Sequence, residues 1–351
     1  SDTLSGNLST SATAYNGTAG SGSNAGTYSI TQGSLSASSN YTLTYTGANL
    51  TVNKAALTAT GNSATTTYNG SAHSVSGYTI NGLVNGDSSA AGITTSASGA
   101  SGTNASTYAN TVTAGTATNY TITAVNGTLT INPAALAITA NAASMTYGGS
   151  SLPTLGYSIS SGQLYGSDTL SGNLSTSATA YNGTAGSGSN AGTYGITQGN
   201  LSAGSNYAIS YTGANLTVNK AALTATGNSN TVSYNGAAQS VSGYTVNGLV
   251  NGDSSAAGIT TSASGATGTN TNTYTNTITA GTATNYTITA VNGALTINPA
   301  ALGITANAAS MTYGGNSLPT LGYSISSGQL YGTDTLSGAL ATSATAYNGT
   351  A

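Results

Sequence analysis

The sequence predicts an all-β protein made of small tandem modules, arranged as an elongated string of beads. Three observations support this prediction: a long internal repeat, apolar residues that alternate along short segments, and Asn-Gly or Gly-Gly pairs between those segments. The segment SDTLSGNLSTSATAYNGTAG begins at Ser1 and again at Ser167, a period of 166 residues, and a variant of it begins at Thr333. A repeat of this kind indicates an array of folded units rather than one large domain.

Two weaker copies within each period define a long module and a short module. Y-G-G at 147–149 corresponds to Y-N-G at 234–236, and N-Y-A-I at 206–209 corresponds to N-Y-T-I at 285–288. Between equivalent motifs the long module has 87 residues and the short module has 79. The predicted domains are a partial long module at 1–54, a short module at 55–133, a long module at 134–220, a short module at 221–299 and a partial long module at 300–351.

Within a module the apolar residues recur with a period of two, which is typical of half-buried strands. Tyr207, Ile209 and Tyr211 fall on one face of such a strand, whereas Ala208 and Ser210 fall on the other. Asn-Gly pairs separate the predicted strands and supply the positive φ that tight hairpins require. Examples of these pairs begin at Asn16, Asn69, Asn126, Asn182 and Asn235.

A segment with only a few residues between the predicted strands joins successive modules. LTVNKAALTAT runs from Leu50 to Thr60 and returns unchanged at 216–226. We expect Val52 to end the last strand of one module and Leu57 to begin the first strand of the next. A proline removes a backbone donor and holds the preceding residue extended, so that at a boundary it stiffens the link. The predicted junction residues are Lys54, Pro133, Lys220 and Pro299.

The composition excludes several classes of partner and site. Charged residues make up 2% of the chain and the net charge is −3, so we expect no electrostatic capture of nucleic acid. No apolar run is long enough to span a bilayer, so we expect no membrane insertion of this segment. The absence of cysteine excludes disulfides and thiolate metal sites. We interpret Lys54 and Lys220 as solvated, with an isopeptide bond to an asparagine as the alternative.

The residues that support catalysis are scarce, and we predict neither an enzyme nor a cofactor. The single histidine, His73, is replaced by Gln239 one period later, which argues against a catalytic or metal-binding role. Each module receives one aspartate, whereas acid–base pairs of carboxylates need two. We interpret the aspartates as caps of turns or of short helices. The alternative is a weak Ca²⁺ site in which Asp87, Asp168 or Asp253 combines with Asn and backbone oxygens.

The recurring motifs carry a resemblance to a known family. They are G-L-V-N-G-D at 248–253, N-A-G-T-Y-x-I-T at 190–197, N-Y-x-I, and L-T-V/I-N followed by Lys or Pro. With these motifs the chain resembles the MBG and YDG-type tandem repeat domains of large bacterial secreted adhesins of the filamentous haemagglutinin-like kind. The resemblance implies immunoglobulin-like sandwiches or β-grasp-like modules and an extracellular location on the bacterial cell surface. N-A-G-T-Y is also similar to the tyrosine corner of β-sandwiches.

Three functions remain open at this point. The first is a structural stalk or fibre-forming repeat region of a bacterial extracellular adhesin or surface filament. The second is a repeat that binds a glycan or matrix through multivalency, with tyrosines as stacking platforms; the competing interpretation is that the tyrosines form thin cores. The third is a functional amyloid-like matrix polymer. Low charge favours self-association into threads or bundles, and a host or matrix surface is the alternative partner.

Overall fold

The computed structural model describes residues 2–88, 92–254 and 258–350, and every regular element within these ranges is a β-strand. The all-β prediction is therefore confirmed, and no helix of these residues is long and apolar enough to cross a membrane. A β-grasp fold packs its sheet on a helix, whereas the described residues form only sheets. Ser1 and Ala351, the outer limits of the predicted domains, lie outside the described residues.

The strands follow the order of the repeats. The first partial module contains β1 (Ser9–Thr10), β2 (Gly26–Thr31) and β3 (Ala48–Val52). The first short module contains β4 (Ala55–Gly61), β5 (Ala64–Thr67), β6 (His73–Val75), β7 (Tyr78–Asn81), β8 (Ser96–Ala97), β9 (Ala100–Gly102), β10 (Ser106–Asn110), β11 (Val112–Thr113), β12 (Tyr120–Val125) and β13 (Gly127–Asn132). The long module contains β14 (Ala134–Ala140), β15 (Ala143–Thr146), β16 (Tyr157–Ser161), β17 (Ser175–Thr176), β18 (Gly192–Thr197), β19 (Tyr207–Thr212) and β20 (Ala214–Asn219).

The second short module repeats the pattern of the first. It contains β21 (Ala221–Gly227), β22 (Asn230–Ser233), β23 (Gln239–Val241), β24 (Tyr244–Asn247), β25 (Ser262–Ala263), β26 (Ala266–Gly268), β27 (Asn272–Asn276), β28 (Ile278–Thr279), β29 (Tyr286–Val291) and β30 (Gly293–Asn298). The last partial module contains β31 (Gly303–Ala306) and β32 (Tyr323–Ser327).

The described strands fall into two compact units. Unit 1 consists of Ser1–Ala140, Tyr157–Ser175 and Gln198–Gly213, and unit 2 consists of Asn141–Gly156, Thr176–Thr197 and Ala214–Ala351. Each unit is described by itself below. Each contains one complete short module.

In unit 1 the short module contains two three-stranded sheets and two two-stranded sheets, β6-β9 and β8-β11. The strand order is β12-β4-β7 in one sheet and β10-β13-β5 in the other. The first strand β4 pairs in parallel with β12, with Leu57 opposite Ile122, and β5 pairs in parallel with β13. Because the first and last strands point the same way, the chain enters such a module at one end and leaves it at the other. This topology suits tandem repetition.

The core of this module follows the period-two pattern. Leu57 and Ala59 on β4 are buried, whereas Ala56, Thr58 and Thr60 alternate with them and are exposed. Leu57 packs with Ala117 and Tyr120, and partly buried side chains surround them: Ala55, Ile80, Leu83, Ile93 and Ile122. Burial of alternate apolar residues is the main force that holds strands of this length together.

In unit 2 the short module has the same pairing. The order is β24-β21-β29 in one sheet and β22-β30-β27 in the other. Leu223 lies opposite Ile288 in the parallel pair of β21 and β29. Leu295 and Ile297 are buried with Ala266, and Val232, Tyr234, Val241 and Tyr274 pack against them.

The long module contributes a sheet to each unit. In unit 1, β14 lies between the antiparallel β16 and the parallel β19. In unit 2, β20 lies between the parallel β15 and the antiparallel β18. Leu136 and Ile138 on β14 and Leu216 on β20 are fully buried.

The similarity of N-A-G-T-Y to the tyrosine corner is confirmed in both units. The Tyr28 hydroxyl donates to the Asn24 carbonyl oxygen at 2.8 Å, and the Tyr194 hydroxyl donates to the Asn190 carbonyl oxygen at 2.8 Å. The short modules form the same bond, from Tyr274 to the carbonyl oxygen four residues earlier. This bond fixes the turn that precedes β2, β18 and β27.

Candidate functional site at the module junctions

Four of the five aspartates, Asp2, Asp87, Asp168 and Asp253, accept a hydrogen bond from a tyrosine of their own module. The Tyr207 hydroxyl donates to Asp168 Oδ2 at 2.8 Å in unit 1, and the Tyr286 hydroxyl donates to Asp253 Oδ2 at 2.8 Å in unit 2. The hydroxyl in turn accepts from the turn that carries the aspartate, since the Tyr165 N–H lies 2.7 Å from the Tyr207 oxygen. The same arrangement joins Tyr120 to Asp87 at 2.7 Å.

The same carboxylate also accepts a tyrosine from the preceding module. In unit 1 the Tyr68 hydroxyl, from the short module, donates to Asp168 Oδ2 at 2.7 Å. In unit 2 the Tyr147 hydroxyl, from the long module, donates to Asp253 Oδ2 at 2.8 Å. We call this arrangement the junction clasp: two tyrosines from successive modules on one aspartate. Its described members are Tyr68–Asp168–Tyr207, Tyr147–Asp253–Tyr286 and the pair Tyr234–Asp334.

Aromatic contacts accompany the hydrogen bonds. The rings of Tyr68 and Tyr207 meet edge to face with centroids 5.4 Å apart, and those of Tyr147 and Tyr286 do so at 5.5 Å. This is the preferred geometry of an aromatic pair. All four tyrosines are buried, which agrees with the core interpretation for their rings.

A tight turn holds each aspartate of the short modules. The Asp253 N–H donates to the Val250 carbonyl oxygen at 3.0 Å, and the two residues between them, Asn251 and Gly252, have φ of 57° and 70°. Asparagine and glycine are the residues that adopt this left-handed conformation at low cost. The motif G-L-V-N-G-D therefore serves to present the carboxylate to the tyrosines.

Asn251 adds a second bond to the clasp in unit 2. Its buried side-chain amide donates from Nδ2 to the Tyr147 hydroxyl at 2.8 Å and accepts at Oδ1 from the Gly188 N–H at 3.0 Å. The Tyr147 oxygen thus accepts from Asn251 while it donates to Asp253. Both polar ends of the amide are satisfied, as buried polar groups require.

The asparagine of N-Y-x-I forms a further link across the junction. Asn206 accepts at Oδ1 from the Ala105 N–H at 2.8 Å and donates from Nδ2 to Asn104 Oδ1 at 3.1 Å. In unit 2, Asn285 makes equivalent bonds with Ala191 and Asn190. The motif N-Y-x-I of one module therefore binds the turn of the tyrosine corner in the module before it.

The glycine after the clasp tyrosine allows the two modules to approach closely. A Cβ atom on Gly148 would lie 2.5 Å from a methyl carbon of Val250, and one on Gly70 would lie 2.9 Å from the Tyr165 Cβ. Both glycines have positive φ, of 79° and 77°. A larger residue would push the partner module away.

The predicted junction residues lie between strands. Lys54 precedes β4, Lys220 separates β20 from β21, Pro133 separates β13 from β14, and Pro299 follows β30. Both lysines are exposed, and their Nζ atoms donate to the main-chain oxygens of Ala117 at 2.9 Å and of Ala283 at 2.8 Å. Each ammonium therefore points at a carbonyl group of the next module rather than at an asparagine side chain.

The clasp shifts the titration of its members. A hydrogen bond to the Asp168 carboxylate, together with burial, raises the pKa of Tyr68 to about 12. Burial, with the carboxylate of Asp253 nearby, raises the pKa of Tyr286 to about 12. The hydroxyls of Tyr68 and then Tyr207 hold the pKa of Asp168 below its ordinary value of 3.8. The raised pKa of each tyrosine and the lowered pKa of the aspartate make the Tyr68–Asp168–Tyr207 clasp an ionised carboxylate with neutral tyrosines over the whole neutral range.

The geometry gives the weak Ca²⁺ candidates another role. The carboxylates of Asp87, Asp168 and Asp253 accept tyrosine hydroxyls, and no group of three or more His, Cys, Asp or Glu residues in the described ranges is arranged to hold a metal ion. Ca²⁺ prefers several carboxylate ligands. The backbone N–H groups of these aspartates close turns, whereas their carboxylates bind tyrosine hydroxyls, and those of Asp168 and Asp253 bind across a junction.

His73 takes the place that glutamine takes one period later. His73 Nε2 lies 2.9 Å from Asn69 Oδ1, and Gln239 Nε2 donates to Asn235 Oδ1 at 2.7 Å. Both side chains support the turn of the Y-N-G motif. This shared bond explains why the exchange of His for Gln is tolerated.

Comparison with known proteins agrees with the repeat architecture. The family described as MBG domain, YGX type, matches residues 1–51, 57–130, 136–217 and 223–296. Among solved structures the chain is similar to the N-terminal eight Ig domains of Down Syndrome Cell Adhesion Molecule isoform 1.30.30, at 13% identity over 87% of this chain and 49% of that one, with a TM-score of 0.16. It is also similar to the I9-I11 tandem of titin, at 10% identity over 71% of this chain and 98% of that one, with a TM-score of 0.14.

The chain spans about half the length of the Down Syndrome Cell Adhesion Molecule structure that it matches. No curated protein sequence matches it. The repeats, the all-β modules and the clasps define a class of tandem β-module proteins. Within that class, the four matched segments show that the chain belongs to the MBG domain family, YGX type.

Proposed function

We propose that the chain is a stalk segment of a secreted bacterial surface adhesin or filament, in which the clasps keep successive modules in a fixed orientation. The observation that carries this proposal is the junction clasp itself. A flexible linker would need no bond between modules, whereas the junctions at Pro133 and Lys220 each have a tyrosine, an aspartate and an asparagine that bind across them. The role is mechanical and extracellular, and it requires no catalysis and no cofactor.

The composition supports the same role. Two lysines and no arginine leave trypsin-like proteases two sites, which suits a protein exposed outside a cell. Tyr157 is the one tyrosine of residues 55–299 that is exposed, so the complete modules present no repeated row of exposed aromatic rings in their described parts. Stacking on sugar rings, the central feature of the glycan-binding alternative, therefore has little support.

Small-angle X-ray scattering of the intact chain tests the proposal. A stiff string of modules gives a maximum dimension of about 120 to 180 Å, from a rise of about 3.3 Å per strand residue and one strand length per module. A compact globule would contradict the proposal. Fibre diffraction with a 4.7 Å spacing along the thread would support the amyloid-like alternative instead.

A pair of variants relates stiffness to the clasp. Tyr68→Phe and Tyr147→Phe together remove the hydroxyls that cross two junctions, and we expect a broader distribution of dimensions with each module still folded. Tyr157→Phe alters an exposed ring and serves as the control. If the double variant scatters as the unmodified chain does, the clasps do not set the orientation of the modules.

A further inference from the structure

We propose that each short module bears tension along the chain, because its first and last strands form a parallel pair that tension loads in shear. In a stalk under tension, force enters a module at its first strand and leaves it at its last strand. The inference concerns the inside of the short modules, so it does not depend on the stiffness of the junctions. Only its biological role rests on the proposed stalk function.

In unit 1 the parallel pair runs along the whole length of the short module. Residues 55–60 on β4 pair with residues 120–125 on β12. Residues 64–67 on β5 pair with residues 129–132 on β13. Both segments have the same offset of 65 residues, so the two long strands keep one register from end to end.

Backbone hydrogen bonds close this pair at both ends. At its start the Ala55 N–H donates to the Asn119 carbonyl oxygen at 2.9 Å, and at its end the Tyr68 N–H donates to the Asn132 carbonyl oxygen at 2.8 Å. The chain enters the module next to Ala55 and leaves it next to Asn132. Because the two strands are parallel, these points lie at opposite ends of the pair, and tension between them acts along the strands.

The direction of the load decides how many hydrogen bonds resist it at once. When two strands are pulled lengthwise past each other, the bonds between them share the load and must break together. Strands that are peeled apart from one end lose their bonds one at a time. Because forced unfolding is governed by the unfolding rate, the lengthwise direction has the higher barrier and needs the higher force.

A buried asparagine supports the pair where it passes from one sheet to the other. Asn110 is 0% exposed, and its Nδ2 donates to the carbonyl oxygens of Asn62 at 3.1 Å and of Gly77 at 2.9 Å. Its Oδ1 accepts from the Gly99 N–H at 3.0 Å. Both polar ends of the amide are satisfied, and the amide joins the gap between β4 and β5 to the segment before β7.

Two glycines keep the first and last strands close together at the same point. A Cβ atom on Gly61 would lie 2.5 Å from the backbone nitrogen of Gly127, and one on Gly127 would lie 2.2 Å from the Asn62 carbonyl oxygen. Neither glycine has a positive φ, so the close approach requires them and the backbone conformation does not. The two strands therefore remain in contact through the gap between their paired segments.

The second short module has the same construction in unit 2. The pairs β21–β29 and β22–β30 are parallel, and both again have an offset of 65 residues. Asn276 takes the place of Asn110, since its buried amide donates to the carbonyl oxygens of Asn228 at 3.1 Å and of Gly243 at 2.9 Å. Both complete short modules therefore present the same strand pair to tension.

No disulfide shares this load, because the chain has no cysteine. The Nζ atoms of Lys54 and Lys220 donate to main-chain oxygens. Tension on a short module is therefore resisted by the hydrogen bonds and the packing of its strands.

Single-molecule force spectroscopy on the intact 351-residue chain tests the proposal by changing the direction of the load. Since the chain has no cysteine, two introduced cysteines are the only attachment points for the handles. Lys54→Cys with Pro133→Cys loads the first short module from opposite ends of its strand pair. Lys54→Cys with Thr118→Cys loads the same strands from one end. All three side chains are exposed, and thermal unfolding of both variants checks that the module stays folded.

We expect a severalfold higher unfolding force between positions 54 and 133 than between positions 54 and 118. The expected gain in length between 54 and 133 is about 240 Å, from about 3.6 Å for each of the 78 residues from Ala55 to Asn132 less about 40 Å that the folded pair spans. Equal forces in the two directions overturn the proposal. A much smaller gain in length also overturns it, because another part of the module then opens before the strand pair.

The second short module provides the replicate. Lys220→Cys with Pro299→Cys should need a severalfold higher force than Lys220→Cys with Thr284→Cys, since these positions are equivalent to those of the first module. A dependence on direction in only one of the two modules overturns the proposal, because both contain the same pair. Scattering tests the junctions and force tests the modules, so either proposal can fail while the other stands.

Discussion

The tyrosine hydroxyl is the group that distinguishes the junctions from an ordinary core. The chain has 23 tyrosines and no phenylalanine. A phenylalanine would bury the same ring, but it would make no directional bond to a carboxylate. At Tyr68, Tyr147, Tyr207 and Tyr286 the ring is buried while the hydroxyl binds an aspartate. Tyr68 and Tyr147 therefore bind the aspartate of the next module, whereas Tyr207 and Tyr286 bind the aspartate of their own module.

The shifted pKa values predict how the stability of the junction depends on pH. Tyr68 has a raised pKa, so its contribution is present below pH 10 and is lost as the pH rises towards about 12. Asp168 has a lowered pKa, so its contribution is present above pH 3.8 and is lost as the pH falls through its folded value. We expect Tyr68→Phe to lower the unfolding temperature by a constant amount between about pH 5 and about pH 9. The difference in unfolding temperature between the variant and the unmodified chain should decrease at more acid and at more alkaline pH.

Thermal unfolding of both proteins across this range measures the effect. At acid pH only five aspartates and one histidine titrate, and at alkaline pH the other 22 tyrosines are common to both proteins, so the comparison isolates the effect of Tyr68. A difference between the two proteins that stays the same at acid and alkaline pH would show that the Tyr68–Asp168 bond does not stabilise the junction.

At the scale of the strands, close packing of glycine against tyrosine shapes the short modules. A Cβ atom on Gly268 in β26 would lie 2.1 Å from the ring of Tyr274 in β27. That tyrosine forms the corner bond to the Asn270 carbonyl oxygen, so its ring has little freedom to move. The glycine is required by this contact and not by its backbone conformation.

Gly268→Ala should therefore destabilise the second short module by about 1 to 3 kcal/mol, the usual cost of overpacking. Gly195→Ser is the matched control, because a Cβ there meets nothing within 4 Å and Ser29 occupies the equivalent position one period earlier. Denaturant unfolding of the two variants provides the comparison. Equal stability of the two would contradict the packing argument.

The sequence predicts the strands better than it predicts their partners. Alternation along 207–211 is a local signal, and β19 covers those residues. The pairing of Leu57 with Ile122 joins residues 65 positions apart, and a local period carries no information about it. The sequence does not predict the junction clasp for the same reason. Taken alone, Asp168 indicates a turn cap and Tyr68 indicates a buried ring, and the bond between them joins residues 100 positions apart. The signal available was that every module carries one aspartate and the same two tyrosine motifs.

At the scale of the whole molecule, the repeat provides its own internal controls. Each junction uses the same motifs, but a substitution at one position alters one junction and leaves the others unchanged. Lys54 and Lys220 lie at two different junctions, so the rates of cleavage by trypsin after the two lysines report on these two junctions separately. Lys220 lies beside the clasp of Tyr147 and Asp253, whereas Lys54 lies at a junction that Tyr147 does not reach.

Tyr147→Phe should therefore accelerate cleavage after Lys220 and leave cleavage after Lys54 unchanged. The substitution removes the bond to Asp253 and leaves the buried Asn251 amide without its acceptor, at a cost of about 1.5 to 3 kcal/mol. A protease cuts a folded chain through local opening, so the rate should rise by about tenfold or more. Mass spectrometry of the digest resolves the two cuts. Equal acceleration at both lysines would mean that the variant loosens the whole chain, whereas a change confined to Lys220 assigns the bond to that junction.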